Sequence, residues 1–381
     1  MSQETMVVYI ITKLELGGAQ KICLALFKGI SEQCKIPTHL ISGMQGPLVD
    51  DVRNNSNATL LESFEREIGY STILKDIRTF FVMIKLLREF RKKYPQVIVH
   101  THSTKAGIMG RWAAFFAGIH NRIHTIHGFA LHSHQSWISW LCVYTCELMT
   151  SFVTTHFVCV SQADQATGAR LFPFFTKRCS LIRAAVPQEH FYVPATKTTW
   201  HTPNQPFTYG TVACFKPAKN LFDLLKAFEK AHKHNPCTRL EIIGDGDQRP
   251  EIEQWLAEHN LTDVVLLHGW QNDVRPIMVL WDAFVLSSLW EGLPCAVVEA
   301  RLLKLPVLSY DTGGIREVIH DGVNGLLFPQ KRWDLLAEGM LWISENKNLY
   351  ASLKHGRDTL HDFDINVMIQ QHQQLYQRLS I

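Results

Sequence analysis

Long apolar runs are missing from this chain. No stretch reaches the roughly eighteen uncharged apolar residues that a membrane-crossing helix needs, so helical spans are excluded. Charge of one sign is missing too: 38 Lys and Arg stand against 35 Asp and Glu, a formal net of +3. That balance gives no general basic field, so nucleic acid is not an expected partner and any anion site must be local. Paired cysteines are absent. The nine cysteines are scattered singly, and the nearest two, Cys142 and Cys146, stand at helical rather than CxxC spacing. The expectation is reduced core thiols in a cytosolic protein. The opening "MSQETMVVYIITKLELGGAQ" puts an acid before a short apolar strand, which is not the pattern of a secretory leader. Low-complexity tracts, internal repeats, and GxGxxG and Walker loops are also missing, and no DxD-like acidic pair stands in the right place for a metal.

What is present is alternation. At 381 residues and 46% hydrophobic content, the chain has material for two sizeable cores. "MVVYIIT" breaks at "KLELGG" and gives way to "AQKICLALFKGI", where Ile22, Leu26 and Ile30 recur at helical spacing. The same order returns with "QVIVH" before "STKAGIMGRWAAFFAG", with "NRIHTIHG", and with "HFVCVS" before "ADQATGARLF". Wholly apolar strands separated by helices imply a parallel sheet covered on both faces. Residues 193–206 turn polar and proline-rich, which predicts a linker between a first domain over 1–192 and a second over 207–364. A final amphipathic helix over about 365–381 is expected to pack back on the first domain. The fold class is therefore α/β, with two doubly wound, Rossmann-like domains expected to face each other across a cleft. Ligands of such sheets bind beyond the carboxyl ends of the strands.

Four loops carry candidate chemistry. Gly17 and Gly18 follow the first strand and open a helix, where free N–H groups and the positive dipole end suit a phosphate. Lys216 and Lys219 flank a proline after the first strand of the second domain. Two ammonium groups there suit a diphosphate, although solvated loop lysines are the ordinary alternative. Gly244 and Gly246 bracket Asp245 in "IIGDGDQRP", where Asp247 or a polar neighbour is expected to cap the following helix, with Pro250 in its first turn. In "SSLWEGLPCAVVEARLL", Glu291 precedes a helix that carries Pro294 in its first turn, and Glu299 lies inside it among apolar neighbours. A carboxylate at the helix mouth, with the Gly292 and Leu293 amides beside it, can hold sugar hydroxyls. Glu299 can accept from vicinal ribose hydroxyls or form a buried ion pair with Arg301 or Arg316, and spacing alone does not choose.

These segments together resemble the retaining glycosyltransferases of family 4, which have the two-domain GT-B fold. The resemblance runs through "GGAQ", "HTHSTKAGIMGRWAAFFAG", "TIHGF", "VCVSQAD", "KPAKN", "IIGDG" and "LHGW". It is densest in "SSLWEGLPCAVVEARLLKLPVLSYDTGGIREVIHDGVNGLLF", the family's E-x7-E signature with its flanks. It implies transfer of a sugar from a nucleotide-diphosphate sugar to a hydroxyl of a glycan or lipid-linked glycan, with retention and without a metal or other cofactor. Gly17 and Gly18 match the glycine loop near the donor diphosphate, and Lys219 the lysine on that diphosphate. Glu291 matches the group at the transferred sugar, Glu299 the ribose acceptor, and His127 a histidine facing the reacting sugar.

One position departs from the pattern. Cys214 stands where the family carries arginine, and a neutral thiol cannot replace a guanidinium on a diphosphate. Lys216 is the nearest substitute. A sugar-nucleotide epimerase of like fold and a weakened nucleotide-sugar-binding protein are the alternatives. The histidines at 100, 102, 127, 132 and 134 lack a cysteine or carboxylate cluster, so no metal site is expected. The resemblance also brings acceptors held at the cytoplasmic membrane face. "IRTFFVMIKLLREFRKKYP" is the candidate interfacial helix, with Phe81, Ile84, Leu87 and Phe90 on one face, and a sheet-covering helix with a basic end is its alternative. Trp137 and Trp140 add aromatics to the same domain. Localisation is expected to be cytoplasmic, peripheral on the membrane.

Overall fold

The structure is a computed structural model that describes residues 5–65, 72–129, 131, 135–191 and 205–380. It divides into two units, residues 1–185 with 365–381, and residues 186–364. The division falls after Ala185 rather than at residue 192. Most of the linker expected over 193–206 lies outside the described residues, as do His132 and His134.

Unit 1 runs β1 (Thr5–Ile11), α1 (Gly18–Glu32), β2 (Thr38–Gly43), β3 (Ala58–Leu61), α2 (Ile73–Lys93), β4 (Gln96–His102), α3 (Thr104–Phe116), β5 (Asn121–Ile126), α4 (Trp137–Val153), β6 (His156–Cys159), α5 (Gln162–Leu171) and β7 (Cys179–Leu181). The seven strands form one parallel sheet in the order β3-β2-β1-β4-β5-β6-β7. Every residue of β1 is buried, as a central strand covered on both faces requires. Strands β2, β3 and β7 were not expected from the sequence. β3 and β7 have three or four half-buried residues each, too short to print a period.

Unit 2 runs β8 (Phe207–Val212), α6 (Leu221–His234), β9 (Thr238–Ile243), α7 (Arg249–Glu258), β10 (Val265–Gly269), α8 (Arg275–Met278), β11 (Ala283–Leu286), α9 (Cys295–Leu302), β12 (Val307–Tyr310), β13 (Gly325–Phe328), α10 (Trp333–Glu345) and α11 (Lys347–His355). Its six strands are parallel in the order β10-β9-β8-β11-β12-β13. In both sheets the strand order reverses beside the first strand, between β1 and β4 and between β8 and β11. That is the topological switch point, where the loops leaving two neighbouring strands diverge and open a crevice.

The last helix, α12 (Ile365–Leu379), belongs to unit 1. It lies against α1 so closely that a Cβ on Gly29 would stand 2.3 Å from Ile369 Cδ1. Its Tyr376 hydroxyl meets the Tyr9 hydroxyl at 3.0 Å and His100 Nδ1 at 2.6 Å.

Two expectations need correction. Helix α2 turns Met83, Ile84 and Leu87 into the core, so it covers the sheet, and of the expected apolar face Phe81 is strongly exposed, with Leu74 and Ile77 on the same outer stripe. The cysteines are free thiols, but only Cys23 and Cys159 are core residues, while Cys142, Cys146 and Cys237 are exposed.

Candidate functional site

In unit 2 the chemistry gathers where the switch point puts it, on the loops after β8 and β11. After β8 the chain passes Cys214 and Lys216, makes a short turn over Pro217–Lys219, and enters α6 through Asn220 in the left-handed region (φ 48°, ψ 47°). Asparagine tolerates that conformation better than most residues. The turn is held from both sides. Ser287 Oγ donates to the carbonyls of Lys219 (2.9 Å) and Asn220 (3.0 Å), and the Leu289 N–H donates to Ala218 O (2.8 Å). Asn220 Nδ2 and the Tyr310 hydroxyl both donate to Asp223 Oδ2, at 2.7 and 2.9 Å.

The loop after β11 therefore lies directly on the loop after β8, and the result is an ion pair: Lys219 Nζ to Glu291 Oε1, 2.5 Å. Read along the chain, these residues have separate tasks, and the fold joins them. Burial alone would lower the Lys219 ammonium, but the Glu291 carboxylate overrides it and holds the pKa above the usual lysine value. Cys214 and Cys295 add smaller contributions of the same sign.

Two further loops support the edge. Gly313 (φ +53°) would put a Cβ 2.1 Å from Glu291 O, so only glycine fits there. The Gly314 N–H donates to Gly292 O (2.8 Å), and Thr312 Oγ1 to Leu289 O (3.0 Å), tying down the backbone around Glu291, Gly292 and Leu293. Gly244 (φ +129°) lies as closely on Ala213 O, and Phe215 N–H donates to Asp245 O (2.9 Å). Asp245 also receives the Gly246 N–H (2.8 Å) and pairs with Arg249 (2.9 Å). Asp247 does not cap α7, whose first residues are Arg249 and Pro250 and whose N-cap, Gln248, makes no side-chain cap bond.

Helix α9 starts at Cys295 with Pro294 as its N-cap, one position earlier than expected for the proline. Glu299 is buried within it. The two arginines offered as its ion-pair partners hold other carboxylates. Arg301 makes a two-pronged contact with Asp358 (2.8 and 3.1 Å), and Arg316 pairs with Asp311 (2.5 Å).

In unit 1 the switch point has Gly17 and Gly18 after β1 and His102 and Ser103 after β4. Gly17 has φ −93° and ψ 161°, a conformation open to any residue, so the turn itself does not demand glycine. A side chain there would meet only the movable Gln20 amide, at 2.6 Å. What Gly17 leaves open is the approach to the first amides of α1. Ser103, at φ 64° and ψ 154°, is strained for a residue with a side chain. Its Oγ meets Thr12 Oγ1 at 2.8 Å.

His127 is anchored by a residue that sequence reasoning listed only as a metal-site candidate. Its Nε2 stands 2.9 Å from His102 Nδ1. His102 is fully buried and its ring stacks on that of His100, centroids 4.6 Å apart. Burial, with His372 adding repulsion, depresses His127 to about 3, and burial with His100 and His127 depresses His102 well below the ordinary value. Both imidazoles are neutral at pH 7 and share one proton. His102 Nε2 is buried without a hydrogen-bond partner, and a bare lone pair is tolerated there better than an orphaned N–H. The shared proton then sits on His102 Nδ1, and His127 carries its own on Nδ1. The alternating "HTH" of β4, with both histidines on one strand face, was the available signal for this pair. Among the described residues, no group of three or more His, Cys, Asp or Glu is placed to hold a metal ion.

Residues 195–357 match the family described as Glycosyl transferases group 1. The chain is a relative of glycosyltransferases. The UDP-Gal:alpha-D-GlcNAc-diphosphoundecaprenol alpha-1,3-galactosyltransferase of Escherichia coli is 28% identical over 353 residues, covering 91% of this chain and 89% of that protein. The amylovoran biosynthesis glycosyltransferase AmsK of Erwinia amylovora is 31% identical over 152 residues, 38% of this chain and 37% of its own length. Among solved structures, Anabaena Alr3699/HepE in complex with UDP-glucose superposes with a TM-score of 0.78 at 16% identity, over 98% of this chain and 99% of that one. Sucrose-phosphate synthase from Thermosynechococcus elongatus superposes at 0.79 and 17%, over 99% of each. The fold is GT-B, α/β, with two Rossmann-like parallel sheets.

Proposed function

We propose that this protein is a retaining glycosyltransferase of family 4. It moves a sugar from a nucleotide-diphosphate sugar to a hydroxyl of a glycan or lipid-linked glycan, in cell-surface polysaccharide or glycolipid synthesis. The observation that carries the reading is the Lys219–Glu291 ion pair at the unit 2 switch point, on a loop pair locked by Ser287, Gly313 and Gly314. An ammonium there faces the diphosphate, and its carboxylate partner faces the transferred sugar, with the Gly292 and Leu293 backbone alongside. Glu299, buried in α9 eight residues after Glu291, takes the ribose.

Breaking the bond from the anomeric carbon to the diphosphate oxygen leaves negative charge on the diphosphate and oxocarbenium character on the sugar. Lys219 and Lys216 stabilise the first, assisted by the amides at Gly17 and Gly18. The leaving phosphate oxygen takes the acceptor's proton on the same face, so configuration is retained. Glu291 orients the sugar and forms no covalent bond. His127, neutral, donates Nδ1–H to a sugar oxygen. The charges are met by lysines and helix ends, without a metal.

The full-length relative names UDP-galactose and a GlcNAc-diphosphate lipid, so these are the donor and acceptor to try first. The enzyme is expected in the cytoplasm, peripheral on the membrane. Cys214, a neutral thiol on the loop after β8 where the family carries arginine, favours a second reading, a weakened nucleotide-sugar-binding protein.

Calorimetry with UDP-galactose and other nucleotide sugars, followed by transfer assays with NMR of the product's anomeric centre, tests the proposal. Glu299→Gln is expected to weaken nucleotide binding about tenfold or more, from loss of one charge-assisted acceptor, while Glu291→Gln lowers turnover. Absence of nucleotide-sugar binding sinks the proposal, and binding without turnover selects the second reading.

A further inference from the structure

Helix α4 is built inside out. Its sequence, WISWLCVYTCELMTSFV, has one charged residue, Glu147, and that carboxylate points inward to the buried Arg111 guanidinium at 2.8 Å. The polar positions beside it also face the unit: Thr150 accepts from Trp112 Nε1 (3.0 Å), and Thr150 and Ser151 are buried. Tyr144 and Leu148 pack on the core, but five other large apolar side chains face out. Trp137, Ile138, Leu141, Met149 and Phe152 are all exposed, from 48% at Leu141 to 74% at Trp137. From Ile138 the spacing of three, eight and three residues keeps them on one stripe of the helix. An ordinary surface helix has the opposite polarity, and exposed apolar patches of this size mark interaction sites.

The surroundings identify what covers the stripe. At the far end of α3, which packs on α4, Phe115 and Phe116 are also exposed. Between them and Arg88, Arg91 and Lys92 of α2 lies a shallow cavity of about 410 Å³. Residues 73–180 contain 13 Lys and Arg against 4 Asp and Glu, a net of +9 in a chain whose total is +3. Two copies meeting through this layer would set like charges against each other. A surface of negative charge with an apolar interior satisfies both features.

We infer that the outer face of α4 inserts into the headgroup region of an anionic lipid bilayer, with the α2–α3 cavity taking lipid phosphates. The helix has 17 residues and its inward side is polar, so it lies in the interface rather than crossing it. Among the described residues, no helix is long and apolar enough to cross. The inference rests on the proposed function only for its purpose, bringing a lipid-linked acceptor to the enzyme, and it adds α4 to α2, where the sequence pointed, as the inserting element of the contact.

Co-sedimentation of the full chain with vesicles tests it. Binding is expected to vesicles of equal parts phosphatidylcholine and phosphatidylglycerol, weaker by tenfold or more to phosphatidylcholine alone. The double variant Trp137→Ser, Phe152→Ser should lose binding. Arg88→Gln with Lys92→Gln should weaken it roughly 25-fold, since each basic group near an anionic surface contributes about fivefold. Failure to bind anionic vesicles overturns the inference, as does unchanged binding by the Trp137, Phe152 variant. A wild-type dimer that this variant makes monomeric, with no vesicle binding, overturns it in favour of a second copy. UDP-galactose binding measured on the same preparations separates the two proposals: its absence with vesicle binding intact sinks the transferase reading alone.

Discussion

Acidification should unfold unit 1 at a pH where carboxylates are still ionised. Among the described residues, seven histidines have their pKa values pushed down by burial, and all seven lie in this unit. His39, His156 and His372 fall to about 4, His127 to about 3, and His100, His102 and His124 well below the ordinary value. The native state therefore keeps them neutral while the unfolded chain takes up protons below about 6.5. The stability this represents is intact above the unfolded value and is lost as pH falls from about 6.5 toward 4, because the unfolded state binds more protons across that window. One unit below the unfolded value, each such histidine lowers stability by about 1.4 kcal/mol.

Five of them, His100, His102, His124, His127 and His372, would together remove about 7 kcal/mol at pH 5.5, and water entry that halves the effect still leaves about 3.5. Domains are stable by only about 5–15 kcal/mol. For a unit of about 200 residues, at 2–4 °C per kcal/mol, the unit 1 melting transition should fall by roughly 10–20 °C between pH 7.5 and 5.5. Differential scanning calorimetry across that range reads the transition, and urea titrations at each pH give the proton uptake. His372→Phe should reduce that uptake by about one proton, since its Nε2 is buried without a partner. A unit 1 transition that does not move between pH 7.5 and 5.5 would falsify the account of a dry histidine cluster.

Three further outcomes concern the unit 2 edge. Lys219→Met leaves Glu291 facing a shielded pocket without its cation; stability should drop by about 1–3 kcal/mol by urea denaturation, and nucleotide-sugar binding by calorimetry should be lost. Unchanged affinity would remove Lys219 from the diphosphate site. Gly313→Ala must displace the Glu291 carbonyl 2.1 Å from the new Cβ, at a backbone angle hostile to alanine, so a loss of about 1–3 kcal/mol with lowered turnover is expected, whereas full stability and activity would show the loop to be loose. Cys214→Arg puts a guanidinium on the loop that carries Lys219 and should hold or raise donor affinity; insoluble protein from this variant would show that the thiol is needed for packing.

The central elements were legible because their residues serve one demand each. β1 is apolar throughout since both its faces are covered, and α6 carries its apolar residues on one stripe since one face is covered. The Glu291 to Glu299 segment was legible as a strand, loop and helix, because Pro294 marks the helix start within one residue. The edge strands β3 and β7 were not, being too short and half-buried for alternation to register. Nor was the fate of Arg301, whose partner Asp358 lies 57 residues away and is brought near only by the whole fold of unit 2.

The α2 and α4 helices explain the one misplacement with functional weight. Read as sequence, α2 has the more convincing interfacial pattern, an apolar stripe with basic flanks, but an amphipathic helix presents the same pattern whether its apolar side meets a bilayer or its own sheet. The deciding information is which side faces in. For α4 that is set by Arg111, a guanidinium buried in α3 that needs a carboxylate, and Glu147 is the acid that supplies one. Once Glu147 is drawn inward by that demand, helical geometry turns Ile138, Leu141, Met149 and Phe152 outward. One buried charge pair thus fixes the polarity of the whole helix. Arg111→Leu with Glu147→Leu, which keeps volume and removes both charges, is expected to fold and to leave vesicle binding in place, because the orientation is then held by packing alone. Loss of vesicle binding in a folded double variant would show that packing alone does not hold the stripe outward and that the pair is required for it.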